Sequence, residues 1–107
     1  MNIVFKAPNY SVGPHIEVVD LQALKAWGFT DLVCNRPDSE LVDEPNSMDL
    51  SAAAENLGMR FHYLPVEPGG PLAAQSEALG NLLDIPDRKV FAFCRSGARS
   101  SAVWENA

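Results

Sequence analysis

The chain has 107 residues, 47% of them hydrophobic and 21% charged; that is enough for one hydrophobic core and too little for two. The balance excludes a disordered, collagenous or membrane-spanning chain. Fourteen acidic against eight basic side chains leave a formal charge of −6, so no general attraction to nucleic acid or an anionic membrane is expected and any anion site must be local. The opening residues Met1-Asn2-Ile3-Val4-Phe5-Lys6 lack the basic end and long apolar stretch of a signal peptide, and nowhere do eighteen apolar residues run together. The expectation is a cytoplasmic protein with one domain over residues 1–107.

The predicted order is strand, helix, strand, helix, strand, helix, strand and a last helix. Leu21, Leu24 and Trp27 have helical spacing ahead of Gly28, with Glu17 or Asp20 to start the helix. Asp31-Leu32-Val33-Cys34-Asn35 is a short apolar run that suits a buried strand. A polar stretch from Asn35 to Pro45 follows. The second helix reads from Leu50, Ala53, Ala54 and Leu57 to Gly58, with Asn46 or Ser47 at its start. Arg60-Phe61-His62-Tyr63-Leu64 is the next strand, then the loop Pro65-Val66-Glu67-Pro68-Gly69-Gly70-Pro71. Leu72, Leu79, Leu82 and Leu83 mark a third helix before Pro86, and Lys89-Val90-Phe91-Ala92-Phe93-Cys94 a fourth strand. Such alternation predicts an α/β fold: a central, mostly parallel sheet of about four strands flanked by helices. Parallel strands deliver their C-terminal loops to one rim, so the loops after Cys34, Leu64 and Cys94 should share one site. Trp27 and Phe61 read as core, and His15 and His62 as structural or exposed.

Two cysteines sixty positions apart offer neither a disulfide framework nor paired metal-ligand spacing. No metal and no cofactor is expected. Cys34 ends a strand with no special loop behind it and reads as a core residue. Cys94 opens the loop Cys94-Arg95-Ser96-Gly97-Ala98-Arg99-Ser100-Ser101, which leads from a strand into a helix beginning near Ala98. Successive backbone N–H groups and a helix N-terminus there favour thiolate over thiol. Arg99 can fork two oxygens of a tetrahedral anion, Gly97 allows the positive φ of a tight cradle, and Ser100 or Ser101 can cap the helix or donate to the leaving sulfur. The arrangement describes a nucleophile with its oxyanion site built in, with Arg95, Ser96, Gly97, Ala98 and Ser100 as the anion-binding wall. Arg36 is either a second anion-binding group or paired with Glu40 or Asp38, the pairing being the simpler reading.

From Ser11 to Trp104 these segments resemble the phosphatase-like domain of beta-lactamase-hydrolase-like proteins, a bacterial relative of the dual-specificity and tyrosine phosphatases. The resemblance rests on Tyr10-Ser11-Val12-Gly13, Gly28-Phe29, Cys34-Asn35-Arg36-Pro37-Asp38, the stretch from Pro65 to Gly70, and the cysteine loop. It implies a phosphatase-type sheet, Cys94 as nucleophile and Arg99 as anion-binding arginine. Two departures stand out. Four residues separate Cys94 from Arg99 where ordinary tyrosine phosphatases have five, and such loops are also similar to those of rhodanese-like sulfurtransferases, whose cysteine carries a persulfide. The leaving-group acid of the superfamily is an aspartate on the neighbouring rim loop, where this chain has Glu67. Glu67 and Asp38 are the rim carboxylates available for that role. The substrate is thus a small anion, either a phosphoester or a sulfane-sulfur donor, with a catalytically idle anion-binding module as the third reading.

Eight residues follow Arg99, at most about two helical turns. The last helical layer is therefore expected to be incomplete, with apolar surface around Val103 and Trp104 that a second copy would cover in a homodimer, or else a marginally stable monomer.

Overall fold

A computed structural model describes residues 2–42 and 45–107. The elements in chain order are β1 (Val4–Ala7), β2 (Tyr10–Gly13), α1 (Asp20–Ala26), β3 (Asp31–Cys34), a 3₁₀ turn (Asp38–Glu40), α2 (Ser47–Asn56), β4 (Arg60–Tyr63), α3 (Ala73–Leu83), β5 (Val90–Phe93) and α4 (Ala98–Glu105). The sheet runs β1-β2-β5-β3-β4. The pairs β2–β5, β5–β3 and β3–β4 are parallel, and β1 alone is antiparallel, folded back on β2. The mostly parallel sheet flanked by helices is as expected. The expected order holds from α1 onward; ahead of it the single expected strand is a hairpin, so the sheet among the described residues has five strands.

The strands alternate in period two between two cores. Leu32, Cys34, Phe91 and Phe93 face Leu21 and Leu24 of α1 and Leu50 and Ala54 of α2. Val33, Val90 and Ala92 face the opposite way, with Leu79 and Leu82 of α3 and Val103 of α4. Strands buried on both faces need apolar residues at every position, which is why β3 and β5 read as continuous runs. Helices α1 and α2 stop at Gly28 and Gly58, whose φ of 92° and 77° are left-handed. Asn46 caps α2 by accepting from the Asp49 amide at 2.9 Å.

Three side chains sit otherwise than the sequence suggests. Trp27 is 53% exposed; it ends α1 beyond the stripe set by Leu21 and Leu24, so helical phase turns it to solvent rather than into the core. Val103 is fully buried, and Trp104 is half-buried and stacked on Tyr10 with ring centroids 6.2 Å apart. The apolar surface expected there is covered within the chain, because α4 packs on α3, where the Ser76 hydroxyl donates to the Val103 carbonyl at 2.9 Å. The largest exposed apolar side chains of the sheet are instead Val4 and Phe5 on edge strand β1. No helix among the described residues is long and apolar enough to cross a membrane.

His62 also has a partner. Its Nε2 lies 2.8 Å from Oδ2 of Asp31, a wholly buried carboxylate at the N-terminal end of β3. Arg88 donates to the same oxygen at 2.9 Å and the Thr30 hydroxyl to Oδ1 at 2.6 Å. Burial pushes the Asp31 carboxyl up, but the hydrogen bonds from Thr30 and His62 and the charge of Arg88 outweigh it and hold it below the usual range. A carboxyl depressed in the native state stabilises it above the unfolded value, and loses that contribution as pH falls through the native value. Asp31→Asn is expected to cost about 3 kcal/mol at pH 7 by urea unfolding, with the gap from the parent closing below about pH 4; a gap that is constant with pH would show that the carboxylate charge is immaterial.

Candidate active site

The rim at the C-terminal ends of the parallel strands is organised by Asn35. This fully buried residue donates from its amide to the Phe93 carbonyl at 2.8 Å and accepts at its carbonyl from Val66 at 2.8 Å. Its side-chain Nδ2 donates to the Leu64 carbonyl, and its Oδ1 accepts from the Ser100 hydroxyl, both at 2.8 Å. One residue thereby ties together the ends of β3, β4 and β5 and the first turn of α4. Tyr10 adds a second tie from β2, its hydroxyl donating to the Ser100 carbonyl at 2.9 Å.

Fixed in this way, the loop after β5 closes around the Cys94 sulfur. Gly97 has φ 96°, a conformation that side chains rarely adopt, and a Cβ there would sit 3.4 Å from the Gly13 carbonyl oxygen. That turn aims the Gly97 amide at Sγ, 3.0 Å away. Burial pushes the thiol up, yet hydrogen bonds from the backbone amides of Ser100, Ser96, Gly97 and Arg99 outweigh it and hold Cys94 below its ordinary value. The residue retains only 1% exposure. Cys34, the other cysteine, is equally buried but donates its thiol to the Arg36 carbonyl at 3.3 Å; burial pushes it up to about 12. One cysteine is held toward thiolate and the other in its thiol form.

Arg99 returns over the sulfur. Nη1 donates to Glu40 Oε2 at 2.7 Å and to the Val66 carbonyl at 2.8 Å, while Nη2 donates to Glu40 Oε1 at 2.8 Å. A guanidinium carries five N–H donors in one plane. With three engaged, the two left are Nε–H and the second Nη2–H, which lie along one edge, and the guanidinium charge lies close enough to the Cys94 sulfur for the two to attract. Two parallel donors beside the nucleophile suit two oxygens of a tetrahedral anion. Glu40 thus braces the arginine from behind. Its carboxyl is held low by the hydrogen bonds from Arg99, against a burial effect that raises it.

The other residues singled out by sequence take distinct places. Arg36 is buried and pairs with Glu40, Nε to Oε1 at 3.4 Å, with Nη2 donating to the Glu40 carbonyl at 3.3 Å. Asp38 has both carboxylate oxygens taken by Ser47, accepting from its amide at 2.8 Å and its hydroxyl at 2.6 Å; it secures the start of α2. The Ser100 hydroxyl proton goes to Asn35, so Ser100 meets the sulfur through its amide. The Ala98 amide donates to Ser96 Oγ at 3.4 Å. Glu67 is exposed and, with Arg95, Ser96 and Arg99, lines a cavity of about 770 Å³ at the mouth of the loop. His15 donates from Nε2 to the Pro45 carbonyl at 3.1 Å, which places the ring proton on Nε2, and meets Phe93 edge-on. Among the described residues, no group of three or more His, Cys, Asp or Glu side chains is placed to hold a metal ion.

The sequence matches the phosphatase-like domain of beta-lactamase hydrolase-like proteins over residues 2–107. The chain belongs to that family. A curated relative, the beta-lactamase hydrolase-like protein of Agrobacterium fabrum, is 28% identical over 87 residues, 81% of this chain. The chain spans about a fifth of that relative's length, the match covering 20% of it. A crystal structure of a candidate phosphatase from Neisseria meningitidis superposes with a TM-score of 0.81 at 26% identity, covering 92% of this chain and 70% of that one. Another from Shewanella putrefaciens, at 22% identity, gives 0.81 over 94% and 63% of the two chains and shows the shared fold. The phosphatase-like domain therefore has a phosphatase-like fold, with the Cys94 loop at the C-terminal rim of its sheet.

In this phosphatase-like domain, two participants escape a reading of the sequence. Glu40 is 59 positions from Arg99, and only its spacing of four from Arg36 hints at a pairing. Asn35 stands out in sequence only as a member of the Asn-Arg-Pro-Asp segment. With iodoacetamide at pH 7, the native protein is expected to alkylate rapidly at Cys94 and not at Cys34, which reacts only once urea unfolds the chain; peptide mapping separates the two. A Cys94 that alkylates no faster than free cysteine would support an idle anion-binding module.

Proposed function

We propose that the protein is a cysteine-dependent hydrolase of phosphate esters or related phosphoryl compounds. The observation that carries this reading is the juxtaposition of the amide-ringed Cys94 sulfur with the free donor edge of Arg99, whose other edge is fixed by Glu40. The thiolate attacks phosphorus, the S–P bond forming as the ester P–O bond breaks. The equatorial oxygens rest on the loop amides and on Arg99, which are already oriented before charge develops. Water then attacks the thiophosphoryl group, releasing phosphate and restoring the thiolate. Glu67 on the cavity wall is the carboxyl available near a leaving oxygen, and as an exposed side chain it suits leaving groups that need little protonation. The work takes place in the cytoplasm, on a small anionic substrate.

A second reading has its own support. Cys94 and Arg99 are four residues apart rather than five, and the loop from Pro65 to Pro71 contains no aspartate. A sulfurtransferase would use the same thiolate to accept sulfane sulfur as a persulfide and pass it to a thiol, with no acid required.

Incubation with para-nitrophenyl phosphate and, separately, with thiosulfate and cyanide distinguishes them. Release of nitrophenol that Cys94→Ser abolishes is the expected result, and thiocyanate formation without phosphatase activity would replace the first reading by the second. Arg99→Lys is expected to lower kcat/KM at least 100-fold, since an ammonium reproduces neither the brace nor the two-donor edge. Glu40→Gln keeps the shape but sets an amide NH₂ against an Arg99 donor, and is expected to lower kcat/KM about 10- to 100-fold through misplacement of the guanidinium, with the Cys94 alkylation rate changed less than threefold.

A further inference from the structure

Every other arginine at the mouth of the site is engaged. Arg36 and Arg99 both hold Glu40. Arg95 is exposed, directly follows the nucleophile, and makes no hydrogen bond or ion pair among the described residues. It lines the cavity at the mouth of the loop together with Arg99, and also a second cavity of about 560 Å³ that it shares with Lys6 of β1, a further cation without a described partner. In a chain of net charge −6, two such cations beside the anion cradle are available to a second negative group on the same substrate.

The carboxylates point the same way. A general acid has to be held protonated at the working pH, which takes burial or a neighbouring like charge. Among the described residues at this rim, Asp38 is spent on Ser47 and Glu40 on Arg99, and Glu67 is exposed on a turn closed by its own carbonyl and the Gly70 amide at 2.8 Å. Among the described residues, no buried and free carboxyl lies at this rim. An alkoxide is too basic to depart readily without a proton, whereas a phosphate group is a far weaker base and leaves as an anion stable in neutral water.

We infer that Arg95 forms a second anion subsite for the departing group, and that the substrates are phosphoanhydrides, in which the leaving group is itself a phosphate. This rests on the hydrolase reading above. The Cys94 sulfur attacks the terminal phosphorus; the S–P bond forms and the bridging P–O bond breaks, its electron pair staying with the bridging oxygen on the second phosphate beside Arg95. Water then cleaves the S–P bond, giving the first phosphate and the thiolate, and its proton goes to solvent. Nothing is oxidised or reduced.

The test compares three substrates: inorganic pyrophosphate, para-nitrophenyl phosphate, whose leaving group is stable but carries no second anion, and glycerol 2-phosphate, whose leaving group is an alcohol. The parent protein is expected to cleave glycerol 2-phosphate at least 100-fold more slowly than pyrophosphate. Arg95→Ala is expected to lower the ratio of kcat/KM for pyrophosphate to that for the aryl phosphate at least tenfold, with Arg95→Lys between the two. An unchanged ratio, or glycerol 2-phosphate turned over as fast as pyrophosphate, overturns the inference. So does cleavage of the aryl phosphate without cleavage of pyrophosphate, which leaves the hydrolase reading standing. Failure of all three substrates removes both.

Discussion

The site depends on the buried hydrogen bond between Ser100 and Asn35. Asn35 has four polar groups, and each is satisfied by a different part of the rim: the end of β5, the loop after β4, the Leu64 carbonyl and the first turn of α4. Each such group left unpaired in the interior costs roughly 1–3 kcal/mol, so the four contacts are made together or the rim does not close. The consequence is positional. With Ser100 pinned, the five-residue arc from Cys94 through Ala98 has little freedom, and the left-handed turn at Gly97 sends its amides inward.

Electrostatics then separates two chemically identical side chains. Cys34 and Cys94 both lie at strand ends and are both 1% exposed. The difference is what faces the sulfur. Cys34 meets a carbonyl, which rewards the thiol proton; Cys94 meets amides and a guanidinium, which reward its loss. Burial alone would make both inert. The thiolate is thus a product of backbone direction more than of any one charged residue.

The same economy governs the arginines. A guanidinium free to swing over the sulfur would lose conformational entropy on binding an anion. Glu40 removes that freedom beforehand by taking the far edge of Arg99, while Arg36 offsets the carboxylate's own charge. A protein that is acidic overall can therefore hold an anion at one point, because the field at that point is set within a few ångströms. The rigid parallel sheet beneath supplies the fixed distances, its strand ends delivering Glu40, Val66 and Arg99 to one place.

The sequence by itself determined the alternating α/β plan, the buried runs of β3 and β5, the glycine ends of α1 and α2, and the contrast between a cysteine with a cradle behind it and one without. These are local matters: periodicity, capping and the density of Gly, Ser and Arg in one loop declare themselves within a few residues. Only the tertiary structure decided what the rim side chains touch. The β1–β2 hairpin was hidden because β1 is half exposed at the sheet edge and β2 carries Ser11 and Gly13, so neither reads as the continuous apolar run that marks β3 and β5. Trp27 and Val103 changed places between core and surface because helical phase at a terminus and the packing of α4 on α3 are not written in composition. Asp38 and Glu40, two residues apart on one polar segment, read alike in sequence; the 3₁₀ turn points the first at Ser47 and the second at Arg99. Contacts across 59 positions form only when parallel strands bring separate loops to a common edge, and that geometry chose which carboxylate serves the fold and which the arginine.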